Sequence, residues 1–260
     1  SNLFVYAITD PGYSHIYSFG ILSFFLWQCL QFKQNAKQRN LYLIAFSLGM
    51  MVLIRPINIM VILALPFILG SKGKLVELFT QFLRPKVFLI SLFLCLSLMS
   101  LQLIFYKLAG GHWWIYSYKE EGFNFLDPHF IDILFSYKKG LFLYTPLYLL
   151  CFIGLIKLWS TQGFRFWAWI FFFTSLTYVL SSWWMWFYGA SFSSRVYIEY
   201  LPLFILLFAF YLKGIRRSVT KWTMISTIFL LTVVCQIQIY QYRHYLIHYS
   251  EMTKEKYWEV

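Results

Sequence analysis

The feature that most constrains the fold of this chain is a run of 18 uncharged, mostly apolar residues at positions 88–105, FLISLFLCLSLMSLQLIF. A helix needs about 20 such residues to cross a bilayer, and the run lacks the alternating polarity of a barrel strand. The 260 residues are 60% hydrophobic and 12% charged, whereas a soluble domain has about 25% charged residues. The sequence therefore predicts an all-α, polytopic transmembrane helical bundle that forms a single domain over residues 1–260.

Comparable apolar runs recur along the whole chain, and together they predict about eight spans. The predicted spans are 13–32, 41–54, 57–70, 87–107, 141–159, 166–182, 196–212 and 222–241. Residues 41–70 could form one long helix that proline interrupts at Arg55–Pro56. Basic clusters flank this segment at 33–39 and 72–86, and they share the cytoplasmic face only if the chain crosses twice, so we predict two spans.

The charges sort between alternate connectors. One set holds 13 of the 22 Lys and Arg residues and a single acid, Glu77, whereas the other set nets zero. The positive-inside rule places the basic set in the cytoplasm and both termini outside. The net charge of +12 is then an orientation signal and a contact for membrane lipids, and nucleic acid is not an expected partner. We predict an integral membrane protein.

The residues that carry chemistry collect on the predicted outer face. All five histidines and nine of the ten acids lie in outer segments or at their edges. An outward active site would produce this distribution, but so would the ordinary polarity of outer loops. Asp10 and His15 lie at the entrance of the first span, where Asp10 is either a functional carboxylate or a helix-start signal.

A second candidate, Arg55, lies between the predicted spans 41–54 and 57–70. The predicted span 41–54 covers only about 21 Å of a bilayer core about 30 Å thick, so Arg55 would lie at the floor of an outer cavity. A buried intramembrane cation is a functional candidate. The alternative is that Arg55 extends to the lipid headgroups.

The longest outer connector, 109–140, is expected to contain a short interfacial helix with Asp127 as N-cap, Pro128 at the first position and Gly140 after the end. Its aromatic residues are typical of a membrane-interface belt, and the alternative is that they stack on a ligand. They are Trp113, Trp114, Tyr116 and Tyr118.

Lys138, Lys139 and Tyr144 follow in KKGLFLYTP, and they are either ligands for a phosphate at the outer leaflet or interface anchors. The connector WWMWFYGASFSSR, at 183–195, combines aromatic residues with a final arginine. Arg195 is suited to bidentate phosphate contact. The aromatics would line a groove for a lipid tail or sugar ring, or belong to the interface belt. They are Trp183, Trp184, Trp186 and Tyr188.

Together, TDPGYSHIYSFGILSFF, LIRPIN, KKGLFLYTP and WWMWFYGASFSSR resemble GT-C membrane glycosyltransferases, especially the bacterial branch related to protein O-mannosyltransferases and the lipid A aminoarabinose transferase. The resemblance implies an integral enzyme of the bacterial cytoplasmic (inner) membrane, with an outward active site that transfers a sugar from a polyprenyl phosphate to an acceptor. It also implies two acids in outer loops. Asp10 matches the second acid and the first has no match, so we expect the C-terminal part of a larger bundle.

The resemblance assigns roles to the candidates. Asp10 would be the catalytic carboxylate or the neighbour of a divalent metal ion, with His15 beside it. Arg55, Arg195, Lys138 and Lys139 would bind the donor phosphate. The aromatics at 183–188 and Tyr144 would line the donor lipid or sugar. The other readings are a transporter or lipid flippase, another polyprenyl-linked enzyme such as a glycan polymerase or ligase, and a non-catalytic subunit of a membrane complex.

Overall fold

The computed structural model describes residues 2–115, 121–215 and 217–260. Within these ranges the chain is helical and contains no β-strand. The α-helices are α1 Asn2–Phe4, α2 Ser14–Asn35, α3 Gln38–Ile54, α4 Leu65–Leu69, α5 Lys72–Phe82, α6 Pro85–Gly110, α7 Phe130–Phe135, α8 Leu141–Tyr144, α9 Leu147–Cys151, α10 Ile153–Thr161, α11 Gly163–Ser181, α12 Leu201–Leu212, α13 Ser218–Arg243 and α14 Lys254–Glu259. A π-helical turn covers Val5–Thr9, and 3₁₀ helices cover Pro56–Ala64 and Arg195–Tyr197.

Three of the described helices, α6, α11 and α13, are long and apolar enough to cross a membrane. By length and composition they indicate a membrane protein, and the prediction of an all-α fold is confirmed. Four further apolar segments are shorter, namely Gln38–Ile54, Pro56–Leu69, Leu147–Thr161 and Leu201–Leu212. The eight-span topology is therefore still a prediction.

The chain forms two compact units. The first unit comprises Ser1–Ile16, Phe123–Thr161 and Thr174–Val260, and the second comprises Tyr17–Gly122 and Gln162–Phe173. Both α2 and α11 contribute residues to each unit.

The core of the second unit is the packing of α3 on α6. Gly49 lies at their closest approach, where a Cβ atom would be 3.1 Å from Leu98 Cδ1 and 3.4 Å from Cys95 Sγ. Cys95 also donates to the Ala45 carbonyl. A residue without a side chain therefore lets the two helices pack closely.

Arg165 stabilises the end of α4 in the second unit. Its Nε donates to Phe67 O over 3.0 Å, and its Nη2 lies 3.4 Å from the carbonyls of Ile68 and Leu69. The last carbonyls of a helix have no partner within the helix, so a buried guanidinium replaces the missing donors. Gly70 follows with φ +76°, the left-handed conformation that glycine adopts readily.

The predicted break at Arg55 is present, but the segment after it is not one α-helix. Arg55 has an extended backbone between α3 and the 3₁₀ helix Pro56–Ala64, and α4 begins only at Leu65. Proline lacks an amide donor, so Pro56 and Pro66 each interrupt a continuous α-helical ladder.

Two predicted spans of the first unit are also interrupted. The segment 141–159 divides into α8, α9 and the start of α10, because Thr145 is non-helical and Pro146 has no amide donor. The segment 196–212 begins as the 3₁₀ helix Arg195–Tyr197, and α12 starts only at Leu201. Arg195 therefore lies in a 3₁₀ turn, and the α-helix of this segment begins six residues later.

The helix predicted in the longest connector is shorter than expected. It is α7, with His129 rather than Asp127 as N-cap and Ser136 as C-cap. The first helical bond runs from Ile133 N to His129 O, and a separate turn follows in which Gly140 N donates to Ser136 O. Lys138 and Lys139 consequently belong to this turn and not to the helix.

Candidate functional site

Two titratable side chains from distant parts of the chain meet inside the first unit. His15 Nδ1 lies 3.1 Å from Glu199 Oε1, and the two side chains are 4% and 0% exposed. His15 is in the first turn of α2, and Glu199 lies between the 3₁₀ turn and α12. A buried carboxylate is costly unless it is paired or hydrogen-bonded, and the imidazole provides such a partner.

Arg195 lies against an aromatic ring of the N-terminal segment. Its guanidinium carbon is 4.5 Å from the centre of the Tyr13 ring, a distance typical of a cation–π contact. Its Nε is buried and has no hydrogen-bond partner among the described residues. An unsatisfied buried donor is unusual in a folded protein and indicates a position where a ligand can accept a hydrogen bond.

Tyr6 connects the N-terminal segment to the 189–195 part of the connector. Its fully buried hydroxyl donates to Phe192 O over 3.0 Å and accepts from Phe192 N over 2.8 Å. Burial raises the pKa of Tyr6 well above its usual value. The ring also meets Tyr13 edge-on, with the centroids 5.5 Å apart, so Tyr6 supports the ring on which Arg195 lies.

Lys139 also contacts the connector 183–195. Its Nζ donates to Gly189 O over 2.9 Å, to Ser191 Oγ over 3.0 Å and to Ser191 O. Burial, followed by the charges of Arg195 and Lys138, lowers the pKa of Lys139 to about 6. As an ammonium group it donates to three oxygens, and as a neutral amine it donates to two carbonyls and accepts from the Ser191 hydroxyl.

The connector needs these contacts because its backbone is strained. Tyr188, Gly189 and Ser193 have φ values of 55°, 66° and 57°. A non-glycine residue in this conformation costs on the order of 1–3 kcal/mol. Thr145 Oγ1 lies 3.1 Å from Ser193 Oγ, and Ser194 Oγ lies 2.8 Å from Lys139 O. The Thr145 side chain after α8 and the Lys139 carbonyl before it thus hold the backbone that carries Arg195.

Asp10 lies in the N-terminal segment of the first unit, between the π-helical turn and Tyr13. Its amide donates to Val5 O over 3.1 Å at the end of the π-helical turn, and its carbonyl accepts from Tyr13 N over 3.4 Å. The carboxylate is partly exposed, and its charge acts on the Tyr242 hydroxyl, as does that of Arg195. A carboxylate and a guanidinium therefore share one aromatic environment.

Two other predicted phosphate ligands have surroundings of their own. Lys138 Nζ lies 3.6 Å from the centre of the Phe187 ring and 6.0 Å from that of Trp186. Arg55 belongs to the second unit, where its backbone separates α3 from the 3₁₀ helix.

Most of the predicted lining aromatics contact the protein's own chain. Trp183 meets Phe123 edge-on with the centroids 4.9 Å apart, and Trp186 stacks on His129 at 5.4 Å. These contacts hold the connector against residues 123–129. They are compatible with a lining role for the remaining ring faces.

The other predicted lining residues differ in exposure. Tyr188 donates to Leu180 O over 2.9 Å, and the buried Tyr144 donates to Tyr137 O over 2.5 Å. Trp184 is 50% exposed, so it offers the most free surface of the four connector aromatics for a lipid tail. Two predicted belt residues, Tyr116 and Tyr118, lie outside the described residues.

Sequence reasoning missed Glu199, Tyr6 and Tyr13 as parts of the site. For Glu199 a signal exists, because an acid inside the apolar segment VYIEYLPLF is expensive in a membrane and indicates function or pairing. For Tyr6 and Tyr13 no such signal is present in a chain with 20 tyrosines.

Among the described residues, no three His, Cys, Asp or Glu side chains converge into a group that could hold a metal ion. The surroundings of Asp10 thus provide no ready ligand set, and a metal ion is still only a prediction from the resemblance. No family model, curated protein or solved structure matches this chain.

Proposed function

We propose that this protein is a membrane glycosyltransferase that transfers a sugar from a polyprenyl phosphate to an acceptor on the outer face of the bacterial inner membrane. The observation that carries the proposal is the arrangement of Arg195, with its unpartnered buried Nε, in the same unit as the Asp10 carboxylate and the His15–Glu199 pair. GT-C enzymes, which the sequence resembles, use an outer carboxylate and cations for this reaction.

Arg195 is proposed to bind the donor phosphate. A guanidinium donates two parallel hydrogen bonds to phosphate oxygens, and the Nε edge is the part of Arg195 that lacks a partner in the described residues. When the bond from the anomeric carbon to the phosphate oxygen breaks, its electron pair stays on the phosphate. A positioned cation stabilises this developing charge in the transition state.

Asp10 is proposed to act as the general base. The acceptor hydroxyl attacks the anomeric carbon, usually with inversion in the enzymes that the sequence resembles, and loses its proton to the carboxylate. The partial exposure of Asp10 leaves access for an acceptor.

His15 and Glu199 are proposed to form a buried pair in the same unit as Asp10 and Arg195. Glu199 holds the His15 imidazole in a fixed orientation through the 3.1 Å contact. His15 follows Asp10 by five residues in the chain and is buried beside Glu199. His15 is thus the second candidate for moving a proton.

The two lysines receive different roles. The Lys139 amine is buried against Gly189 and Ser191, so we assign it to shaping the connector rather than to phosphate contact. Lys138 is partly exposed and remains a proposed phosphate ligand. The phosphate role of Arg55, which belongs to the second unit, stays a prediction from the resemblance. The half-exposed Trp184 would contact the prenyl tail.

The test is a transfer assay with the full-length protein in proteoliposomes that contain polyprenyl-phosphate sugars extracted from cells. Asp10→Asn and Arg195→Ala should each reduce transfer by at least about a hundredfold. The matched controls are Asp127→Asn and Arg243→Ala, which alter exposed residues of the same charge, and they should retain activity. Undiminished transfer by the Asp10 and Arg195 variants would refute the assignment.

A further inference from the structure

A cleft lies at the C-terminal end of α12, whereas Glu199 lies before its N-terminal end. Several polar residues line this cleft. Its volume is about 390 Å³, and it lies where α10, the end of α12 and the start of α13 meet within the first unit. It is lined by Lys157, Tyr211, Gly214, Ile215, Arg217 and Thr220. The 12 residues of α12 separate it from the Glu199 end by about 18 Å.

The charged residues that line this cleft are all positive. Lys157 and Arg217 both line it, no acid does, and among the described residues no carboxylate lies within ion-pairing distance of either cation. Tyr211 and Thr220 add hydroxyl groups. The cleft therefore offers an anion two cations that have no ion-pair partner in the described part of the chain, together with two hydroxyl groups.

The backbone at the cleft adds to this preference. Arg217 is the N-cap of the 26-residue helix α13 and makes no side-chain cap, so the first amides of α13 keep their capacity to donate. Gly214 faces Lys157, since a Cβ atom there would be 3.5 Å from Lys157 Cε and 3.8 Å from Nζ. The absence of a side chain at Gly214 leaves room beside the amine.

Exposed apolar side chains adjoin the cleft residues in the sequence. Ile156 precedes Lys157, Leu212 follows Tyr211, and Val219 precedes Thr220, with exposed fractions of 71%, 42% and 77%. Trp159 and Trp222 are 63% and 64% exposed, and tryptophan is enriched at membrane interfaces. The acyl chains of a lipid can pack on exposed apolar side chains such as these, whereas free phosphate has no chains to bury.

We propose that this cleft binds the phosphate headgroup of an anionic phospholipid, with Lys157 and Arg217 on the phosphate and the acyl chains on the neighbouring apolar side chains. The site is separate from the proposed transfer site and does not depend on its chemistry. It lies among the connectors that the charge distribution assigns to the cytoplasm, where anionic lipid headgroups are abundant.

Native mass spectrometry of the purified full-length protein tests this site. The protein is delipidated and titrated with phosphatidylglycerol or with the zwitterionic phosphatidylcholine. We expect saturable binding of phosphatidylglycerol and a preference over phosphatidylcholine. The double variant Lys157→Ala/Arg217→Ala should weaken that binding by about tenfold to thirtyfold, since each basic residue near a membrane surface contributes about a factor of five.

The matched control is Lys213→Ala/Lys221→Ala, which removes two cations of the same region that do not line the cleft. It should change binding by less than about threefold, and an equal loss in the two double variants would show a diffuse charge effect and overturn the site. Gly214→Glu should also abolish binding, because it places a carboxylate beside Lys157 without removing a cation; undiminished lipid binding would contradict the proposal.

A further arm of the titration separates the lipid from free phosphate. Millimolar inorganic phosphate should leave bound phosphatidylglycerol in place, because it lacks acyl chains. Displacement of the lipid by inorganic phosphate would identify a site for soluble anions and overturn the proposed lipid.

Discussion

His15 Nδ1 lies 3.1 Å from Glu199 Oε1, although 184 positions separate the two residues in the chain. The contact places the start of α2 against the segment before α12. Both side chains are buried, so the pair is a fixed element of the first unit.

Removal of one partner should therefore destabilise the protein. Glu199→Ala would leave His15 buried without this acceptor, and the loss of one partner of a buried pair typically costs about 3–5 kcal/mol. Glu199→Gln keeps an oxygen near Nδ1 and should cost less. Thermal unfolding in detergent, followed by tryptophan fluorescence, would order the melting temperatures as wild type, Gln and Ala. Equal melting temperatures would contradict a structural pair.

Lys139 should make stability depend on pH. Its pKa falls from the usual 10.5 to about 6 in the folded protein, so between these values the unfolded chain binds more protons than the folded chain. The contribution of Lys139 to stability is then greatest at high pH, decreases as the pH falls towards about 6, and is constant below that.

The variant Lys139→Met lacks this proton and isolates its effect. The difference in melting temperature between wild type and variant should shift in favour of the variant as the buffer changes from about pH 9 to about pH 6. A difference that is the same at both pH values would show that Lys139 is protonated in the folded protein throughout.

Gly70 should not tolerate a side chain. It has φ +76°, and a Cβ atom would lie 2.1 Å from the Arg165 guanidinium that holds the end of α4. Gly70→Ala should therefore lower the free energy of unfolding by about 1–3 kcal/mol. Gly73→Ala is the control, because a Cβ atom there meets nothing within 4 Å and alanine favours the helix by about 1 kcal/mol. If both variants unfold alike, the Gly70 argument is wrong.

Cysteine labelling tests the predicted topology. In a background without the four native cysteines, Ala190→Cys should react with an impermeant maleimide added to intact spheroplasts, and Lys37→Cys should react only after lysis. Both positions are exposed, so accessibility to solvent does not limit the labelling. The opposite pattern would invert the membrane orientation and place the proposed transfer site in the cytoplasm.

Composition and periodicity were sufficient to predict an all-helical chain, and proline chemistry predicted the break at Arg55. The same chemistry was present at Pro146, where the apolar run 141–159 concealed the interruption. His129 replaced Asp127 as N-cap of α7, a shift of two residues that local propensity does not resolve.

For the candidate site, the sequence indicated single residues but not their contacts. Asp10, His15 and Arg195 were recognisable as polar residues at the ends of apolar runs, but their neighbours depend on tertiary packing. Neither the Glu199 contact of His15 nor the Tyr13 ring beside Arg195 follows from local sequence. The resemblance assigned Lys139 to the donor phosphate, whereas its burial became visible only with the connector folded around it.

The most direct test of the central claim is mass spectrometry of lipids extracted from the purified full-length protein. We predict that polyprenyl phosphate copurifies with the wild type and with Arg243→Ala, and that Arg195→Ala retains at least about tenfold less, because it loses a charged hydrogen bond to the phosphate. The absence of polyprenyl phosphate from the wild type, or its equal retention in Arg195→Ala, would contradict the proposed donor site.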